Sequence, residues 1–308
     1  MSKPIVVVGS LNLDFVARID KLPMPGETVS GHAFQMLPGG KGANQAYAVG
    51  KLGGRVKMFG CVGGDLFGER LKANLASAGV NVSCVLTNPN ETTGVALILV
   101  ESRGQNQIVV IPGANGSFSP ADLDAHSEEI QEGLLLIQLE SPIETVEAAA
   151  AMGRARKLTT ILDPSPARQL SPSLLKNVDL LTPNETEALV ILGYQGGAVS
   201  LAEAPHVTEG LVKLGPRYVI LKMGEKGAWL SDGQRSRHFP CHKVTAIDVT
   251  AAGDTFNGAL AVALAERRSI EEAISFANSA AAISVTRLGA QTSIPGRDEV
   301  EALLATPV

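Results

Sequence analysis

The run Asp248-Val-Thr-Ala-Ala-Gly-Asp-Thr-Phe-Asn-Gly258 places a carboxylate among small residues, directly before an apolar helical repeat. Phe256, Leu260 and Leu264 recur at helical spacing, so we expect the run to open a helix after an extended segment at 244–247. The first N–H groups of a helix have no partner inside it, and that end of the helix dipole is positive. The run therefore predicts a place where backbone can approach an anion.

Asp254 within this run has two interpretations. If the N–H groups of Ala251, Ala252 and Gly253 form an anion site, Asp254 beside them could remove a proton, and the pair would serve phosphoryl transfer to a hydroxyl. Alternatively, Asp254 caps the helix, which is the commoner role of an aspartate at such a position. The other motifs of the chain have to decide between the two.

Composition favours an α/β enzyme. The 308 residues are 45% hydrophobic with 32 glycines, and 26 Lys and Arg stand against 31 Asp and Glu, a net charge of -5. Nucleic acid is not an expected partner, because it calls for a basic surface. No apolar run reaches the ~20 residues of a membrane span, and Ile5–Val8 is too short for a signal peptide. Cys61, Cys84 and Cys241 show no disulfide spacing, so we expect a cytoplasmic protein.

Strand and helix patterns alternate along most of the chain. This alternation predicts a doubly wound, mostly parallel sheet flanked by helices, within a single domain that spans 1–308. Helices are expected after Asp65, Pro142 and Asn184. The predicted strands lie at 5–8, 56–61, 134–139, 160–163, 178–181 and 218–222.

Some extended segments have no helix between them. Strands at 93–100 and 107–111, joined by the turn at 102–106, and an extended stretch at 28–36 are typical of a small antiparallel sheet. We expect this sheet to stand apart as a lid, formed by about 12–36 and 93–111, that covers the site.

A glycine loop, Gly39-Gly-Lys-Gly-Ala-Asn-Gln45, leads into a helix. It fails the P-loop pattern, because that pattern needs Gly and Ser or Thr where the chain has Gln35 and Gly42. The loop is better interpreted as gripping a polyhydroxylated substrate, with Asn44 and Lys41 as donors. Asn12 and Asp14 follow the first strand, where α/β sheets bind ligands, although turn chemistry also explains them.

Two further motifs keep alternative interpretations. Asn184 and Glu187 stand three residues apart as in a capping box, yet they could also hold water around Mg²⁺. Lys222-Met-Gly-Glu-Lys-Gly227 could lie along nucleotide phosphates or form a simple hairpin turn. The sequence leaves both choices open.

The chain resembles the ribokinase-like (PfkB) carbohydrate kinases from Val6 to about Ile294. Four motifs, in this order along the chain, carry the resemblance, and together they leave little room for another family. They are residues 39–45, residues 112–115 (preceded by the run 104–108), residues 182–187 and residues 251–258. The resemblance implies ATP-dependent phosphorylation of D-ribose at its 5-hydroxyl. Asp254 would be the base, and the 251–254 amides would stabilise the transferring group.

The resemblance also implies the other site residues. Ribose would be bound by Asn12, Asp14, Gly40, Lys41, Gly42, Ala43, Asn44 and Glu140. ATP would lie along Asn184, Lys222, Met223, Gly224, Glu225, Lys226, Gly227 and Gly253, with Asn278 near the adenine. Glu187 would organise Mg²⁺ through water, and a potassium ion (K⁺) would be held by Asp248, Thr250, Ser284, Arg287, Gly289 and Ser293. The lid sheet would form a homodimer contact.

Two residues depart from the family pattern: Val249 and Lys222 stand where many ribose-specific members carry threonine. Other functions also stay open. The runner-up is a family sibling that acts on fructose, 2-deoxyribose or adenosine, and a third is a sugar-binding regulatory protein without catalysis. The presence of Asp254 and of the whole glycine loop argues against the third hypothesis, a protein without catalysis.

Overall fold

The computed structural model describes residues 2–102 and 105–307. Its strands are β1 (Ile5–Val8), β2 (Asn12–Ile19), β3 (Gly31–Gly39), β4 (Val56–Gly63), β5 (Asn81–Asn88), β6 (Gly94–Glu101), β7 (Asn106–Ile111), β8 (Leu134–Ile137), β9 (Thr159–Leu162), β10 (Leu180–Leu181), β11 (Tyr218–Lys222), β12 (Ala228–Ser231) and β13 (Ser236–Phe239). Its helices are α1 (Lys41–Lys51), α2 (Leu66–Ser77), α3 (Pro120–Ala125), α4 (Ile143–Ala155), α5 (Pro172–Leu175), α6 (Glu185–Ile191), α7 (Ala204–Val212), α8 (Ala252–Ala265), α9 (Ile270–Ser284) and α10 (Arg297–Leu304).

Nine strands form the large sheet in the order β13-β12-β11-β10-β9-β8-β1-β4-β5. All neighbours pair in parallel except at the β11-β12-β13 edge, so the predicted doubly wound, mostly parallel sheet is confirmed. The first strand, β1, lies inside the sheet. The chain then adds β4 and β5 on one side of β1, and afterwards adds β8 to β13 in order on the other side. Ligands bind at such a reversal of strand order, beyond the carboxyl ends of the strands.

Apolar side chains of β1 alternate between two core layers. Ile5 and Val7 pack in the layer that contains Leu260 of α8, whereas Val6 and Val8 pack in the layer that contains Val146 of α4. Helices α1 and α8 share the first layer. A Cβ atom on Gly258 would lie 2.6 Å from the Cβ of Ala48, so the glycine permits their close approach. This packing brings together the two glycine-rich motifs that the sequence singled out.

The small sheet has the order β3-β2-β6-β7. The expectation of a purely antiparallel sheet was wrong, because β2 and β6 pair in parallel while the outer pairs are antiparallel. The chain passes through β3, α1, β4, α2 and β5 between the two central strands, and such a crossover lets them run in the same direction. Arg103 and Gly104 of the predicted turn lie outside the described residues.

The segment 244–247 was also expected to be extended, and the structure assigns it to no strand. The large sheet ends at β13, so Val244 and Ile247 gain no strand partner and stay exposed. Instead, the N–H groups of Ile247 and Asp248 donate to the carbonyl of Val285, at 2.7 and 3.2 Å.

Among the helices that the structure describes, none combines the length and the hydrophobicity that a membrane span needs.

Candidate active site

Asp254 lies in the first turn of α8 but does not cap it. The N-cap position is Ala251, in the left-handed region at φ 58°, and no side chain caps the helix. The buried carboxylate of Asp254 instead accepts hydrogen bonds from Asn44 Nδ2 at 2.9 Å and Gln45 Nε2 at 3.1 Å. The capping interpretation is therefore wrong, and Asp254 is held by donors from the glycine-loop helix.

The backbone amides at the start of α8 are only partly free. The Ala252 N–H donates to the Val249 carbonyl at 3.2 Å, which corrects the expectation that it is unpaired. Among the described residues, the N–H groups of Gly253 and Asp254 have no hydrogen-bond partner. Two free amides at the positive end of a helix, next to a carboxylate, have the arrangement that an anion site beside a base requires.

The predicted sugar contacts meet at the carboxyl end of β1. Glu140 Oε2 accepts from Ser10 Oγ at 2.6 Å and from the Lys41 N–H at 2.9 Å, which ties its carboxylate to the glycine loop. Asn12 is buried, and its Oδ1 accepts from Asn115 Nδ2 at 2.8 Å. Gly40 has φ 86°, and a Cβ there would lie 2.7 Å from the Asn12 nitrogen. The structure thus brings these loops into contact.

Some residues of the glycine loop shape the site through hydrogen bonds within the protein. The Gly42 N–H lies 3.4 Å from Ser10 Oγ, and the Ala43 N–H donates to the Ser10 carbonyl at 2.9 Å. Asn44 uses Nδ2 on Asp254, while its Oδ1 accepts from Gln291 Nε2 at 3.0 Å. Its amide therefore orients the carboxylate of Asp254.

Carboxylates in this pocket raise one another's pKa. Burial, with the charges of Glu140 and Asp254, raises the pKa of Asp14 to about 7. Burial also raises the pKa of Asp254 to about 6, against the lowering effect of the Lys41 ammonium. For Lys41, burial acts to lower the pKa, but the surrounding carboxylates, led by Asp254, outweigh it and raise the pKa. Asp254 is thus a carboxylate with base strength suited to neutral pH.

Sequence reasoning missed three polar side chains that support Asp254. Gln45 Nε2 donates to Asp254 and also to Asp163 Oδ2 at 2.9 Å, and Gln45 Oε1 accepts from Gln138 Nε2 at 2.7 Å. Gln45 stood in the quoted glycine loop and Asp163 at a strand end, so position alone could have flagged both. Their pairing depends on the packing of α1 across the sheet.

Replacing Gln45 with Leu is expected to move the acidic limb of the pH–kcat/KM profile to higher pH. The Gln45 hydrogen bond lowers the pKa of Asp254, so its loss raises that pKa and a larger share of the enzyme holds a protonated base at pH 6 to 7. Initial rates over pH 5 to 9 measure the shift. Gln169→Leu, which alters an exposed amide, is the control. An unmoved acidic limb would contradict this role for Gln45.

Of the predicted nucleotide residues, Lys222 lies beside the first turn of α8, with its Nζ 3.3 Å from the position of a Cβ on Gly253. Asn184 and Glu187 form a complete capping box on α6, so that interpretation is confirmed. Burial raises the pKa of Glu187 despite the nearby Lys222 ammonium. The run 222–227 is a hairpin turn between β11 and β12, and Asn278 Nδ2 donates to the Phe239 carbonyl at 3.0 Å.

The predicted potassium ligands come from two segments that the fold joins. Asp248 Oδ1 accepts from the Thr250 N–H and Oδ2 from the Gly289 N–H, both at 2.9 Å. Burial acts to raise the pKa of Asp248, but hydrogen bonds from Thr250 and Gly289 outweigh it and lower the pKa. Ser284 and Ser293 are buried, and the Arg287 guanidinium pairs with Glu299. Asp248 is an ionised carboxylate that these hydrogen bonds tie to Gly289, and carboxylate oxygens of this kind suit a hard cation.

The predicted magnesium residue, Glu187, would hold its ion differently from the potassium ligands. Across 2–102 and 105–307, no three His, Cys, Asp or Glu side chains are grouped as metal ligands. Both oxygens of Glu187 already accept hydrogen bonds from Asn184, at 2.7 and 2.9 Å. Such a carboxylate suits Mg²⁺ held through water and phosphate oxygens, which is the coordination that this ion prefers.

Comparisons with known proteins agree with this geometry. The sequence profile of the pfkB family carbohydrate kinases matches residues 2–297. A ribokinase from Haemophilus influenzae is 41% identical, over 97% of this chain and 97% of its own length. A deoxyribokinase from Salmonella typhi is 36% identical, over 98% of each chain. The structure of Arabidopsis thaliana ribokinase complexed with ribose and ATP superposes with a TM-score of 0.90 at 34% identity, covering 100% of both chains.

Proposed function

Because the chain belongs to the pfkB family of carbohydrate kinases, we propose that it transfers the γ-phosphoryl group of ATP to the 5-hydroxyl of D-ribose. The observation that carries this proposal is Asp254, a buried carboxylate beside the free amides of Gly253 and Asp254. A base and an anion site next to each other are what transfer to a hydroxyl requires. The ribokinase relative and the ribose and ATP complex of a similar structure support the substrates.

In the reaction, Asp254 accepts the proton of the 5-hydroxyl as that oxygen attacks the γ-phosphorus. The bond from the γ-phosphorus to the bridging oxygen breaks, and ADP leaves as ribose 5-phosphate forms. The free amides of α8 stabilise the negative charge of the transferring group. Asp14 and Glu140 accept hydrogen bonds from the other sugar hydroxyls, which fixes the 5-hydroxyl against Asp254.

Glu187 would hold Mg²⁺ through water, and this ion would neutralise phosphate charge in the bound nucleotide. The Asp248 and Gly289 segments would hold K⁺ and thereby rigidify the loop that carries the α8 amides. The residues 222–227, Asn184 and Asn278 would line the nucleotide. We place the reaction in the cytoplasm, where ATP is available.

The chain would act as a single domain, with the four-stranded sheet as its lid and as a homodimer contact. Large apolar side chains stay exposed on this sheet, which supports a partner surface: Phe34, Leu97, Ile108, Val109 and Val110. Exposed apolar side chains of this kind are costly to leave in water. Burial against a second copy of the lid would remove part of that cost.

A sugar panel tests the proposal. ADP formation from ATP and Mg²⁺ is measured with D-ribose, 2-deoxyribose, fructose and adenosine, each with and without K⁺. We expect the highest kcat/KM with D-ribose and faster turnover with K⁺. The deoxyribokinase relative makes 2-deoxyribose the second candidate, and a higher kcat/KM with that sugar would replace D-ribose as the substrate.

A further inference from the structure

Lys222 is a charged side chain that the capping and hairpin roles of its neighbours leave unexplained. It ends β11, and its ammonium lies 2.8 Å from Asp163 Oδ1, with only 14% of its side chain exposed and 3% of the Asp163 side chain. Removing an ammonium and a carboxylate from water is costly, and replacing such a pair by apolar residues is often neutral or stabilising. The pair is therefore a poor candidate for a purely stabilising device.

The Lys222 side chain extends toward the first turn of α8. The Lys222 Nζ lies 3.3 Å from the position that a Cβ on Gly253 would occupy, so the ammonium stands beside the first turn of α8. The amides of Gly253 and Asp254 there are without partners. A cation next to the positive end of a helix is repelled by it, unless an anion binds between them.

Three carboxylates of the site surround the Lys222 ammonium and keep it charged. The pKa of Lys222 is lowered by burial but raised more strongly by Asp163, Glu187 and Asp254. Lys222 therefore stays charged among the carboxylates that the proposed function assigns to the base and to Mg²⁺. Without this lysine, those carboxylates would repel the phosphates of ATP.

We infer that Lys222 is a catalytic residue whose ammonium, held by Asp163 beside Gly253, binds an oxygen of the γ-phosphoryl group and stabilises its charge during transfer. This inference rests on the proposed function and assigns one residue of its nucleotide turn to a particular phosphate. Asp163 acts as a positioning residue, because it touches Lys222 and Gln45 and orients both toward Asp254.

The test separates a contact with the γ-phosphate from simple neutralisation of Asp163. The variants are Lys222→Met, the double variant Asp163→Asn with Lys222→Met, and the control Lys57→Met. Lys57 also forms an ion pair, with Glu129, at the first residues of β4 and away from the carboxyl ends of the strands. The double variant does not leave the buried Asp163 charge without its Lys222 partner, so it keeps the test valid if Lys222→Met alone folds poorly.

We expect both variants without Lys222 to lose about 10²- to 10³-fold in kcat at saturating sugar and ATP, the scale of removing one preorganised stabiliser of a transition state. Calorimetry with MgADP and with the non-hydrolysable analogue AMP-PNP is expected to show that only AMP-PNP binding weakens. Recovery of wild-type kcat in the double variant would overturn the inference, as would an equal loss of ADP and AMP-PNP affinity. The wild-type sugar panel separately tests the proposed function, and the best sugar found there is used for these variants.

Discussion

Replacing Asp254 with Asn is expected to lower kcat by about 10²- to 10⁴-fold, the usual contribution of a general base. The amide cannot accept the proton of the sugar hydroxyl, whereas Asn44 and Gln45 still surround a side chain of the same shape. Steady-state ADP formation measures the rate, and calorimetry with D-ribose measures sugar binding. We expect binding to persist while the rate falls, which separates a base from a ligand contact.

Stability offers an independent check on this variant. The folded pKa of Asp254 is about 6, above its ordinary 3.8, so its contribution to stability is present below about pH 4 and is lost as pH rises through about 6. At pH 7 the buried charge disfavours folding, and the unfolding temperature of Asp254→Asn should not fall. Asp298→Asn, which changes an exposed aspartate in the first turn of α10, is the matched control. An unchanged kcat in Asp254→Asn would rule out the base.

Replacing Lys41 with Met is expected to lower kcat/KM at pH 7 by about 10²- to 10³-fold, the scale of losing a preorganised electrostatic stabiliser. Its ammonium lies among Asp254, Asp163, Glu140 and Glu187, and it is the main charge that lowers the pKa of Asp254. Without it, Asp254 holds its proton to higher pH. The acidic limb of the rate profile should therefore move upward, and part of the rate should return at pH 8 to 9.

The control for this prediction is Lys51→Met, because Lys51 occupies the last turn of the same helix and is exposed. Rates of both variants over pH 6 to 9 give the comparison. If Lys41→Met lowered the rate equally at every pH, the charge effect on Asp254 would be refuted, and Lys41 would act only by binding substrate.

Much of the fold could be predicted from the sequence, because local patterns report local structure. Buried strands such as β1 and β8 are short apolar runs, and turns or caps bound them. Strand pairing is not local, and the parallel pairing of β2 with β6 depends on a crossover of three strands and helices. The segment 244–247 has a strand-like composition but pairs with no strand, because the N–H groups of Ile247 and Asp248 donate to Val285 instead.

For the site, sequence by itself determined which chemical groups are present and roughly where: Asp254 at a helix start, the glycine loop, and polar residues at strand ends. The tertiary structure alone decided what these groups do to one another. The contact of α1 with α8 turned Asn44 and Gln45 toward Asp254 and thereby excluded a capping role. The parallel pairing of β9, β10 and β11 joined Lys222 to Asp163 across 59 residues. Hydrogen bonds and charge effects act over a few ångströms in space, and the spacing of residues along the chain does not encode those distances.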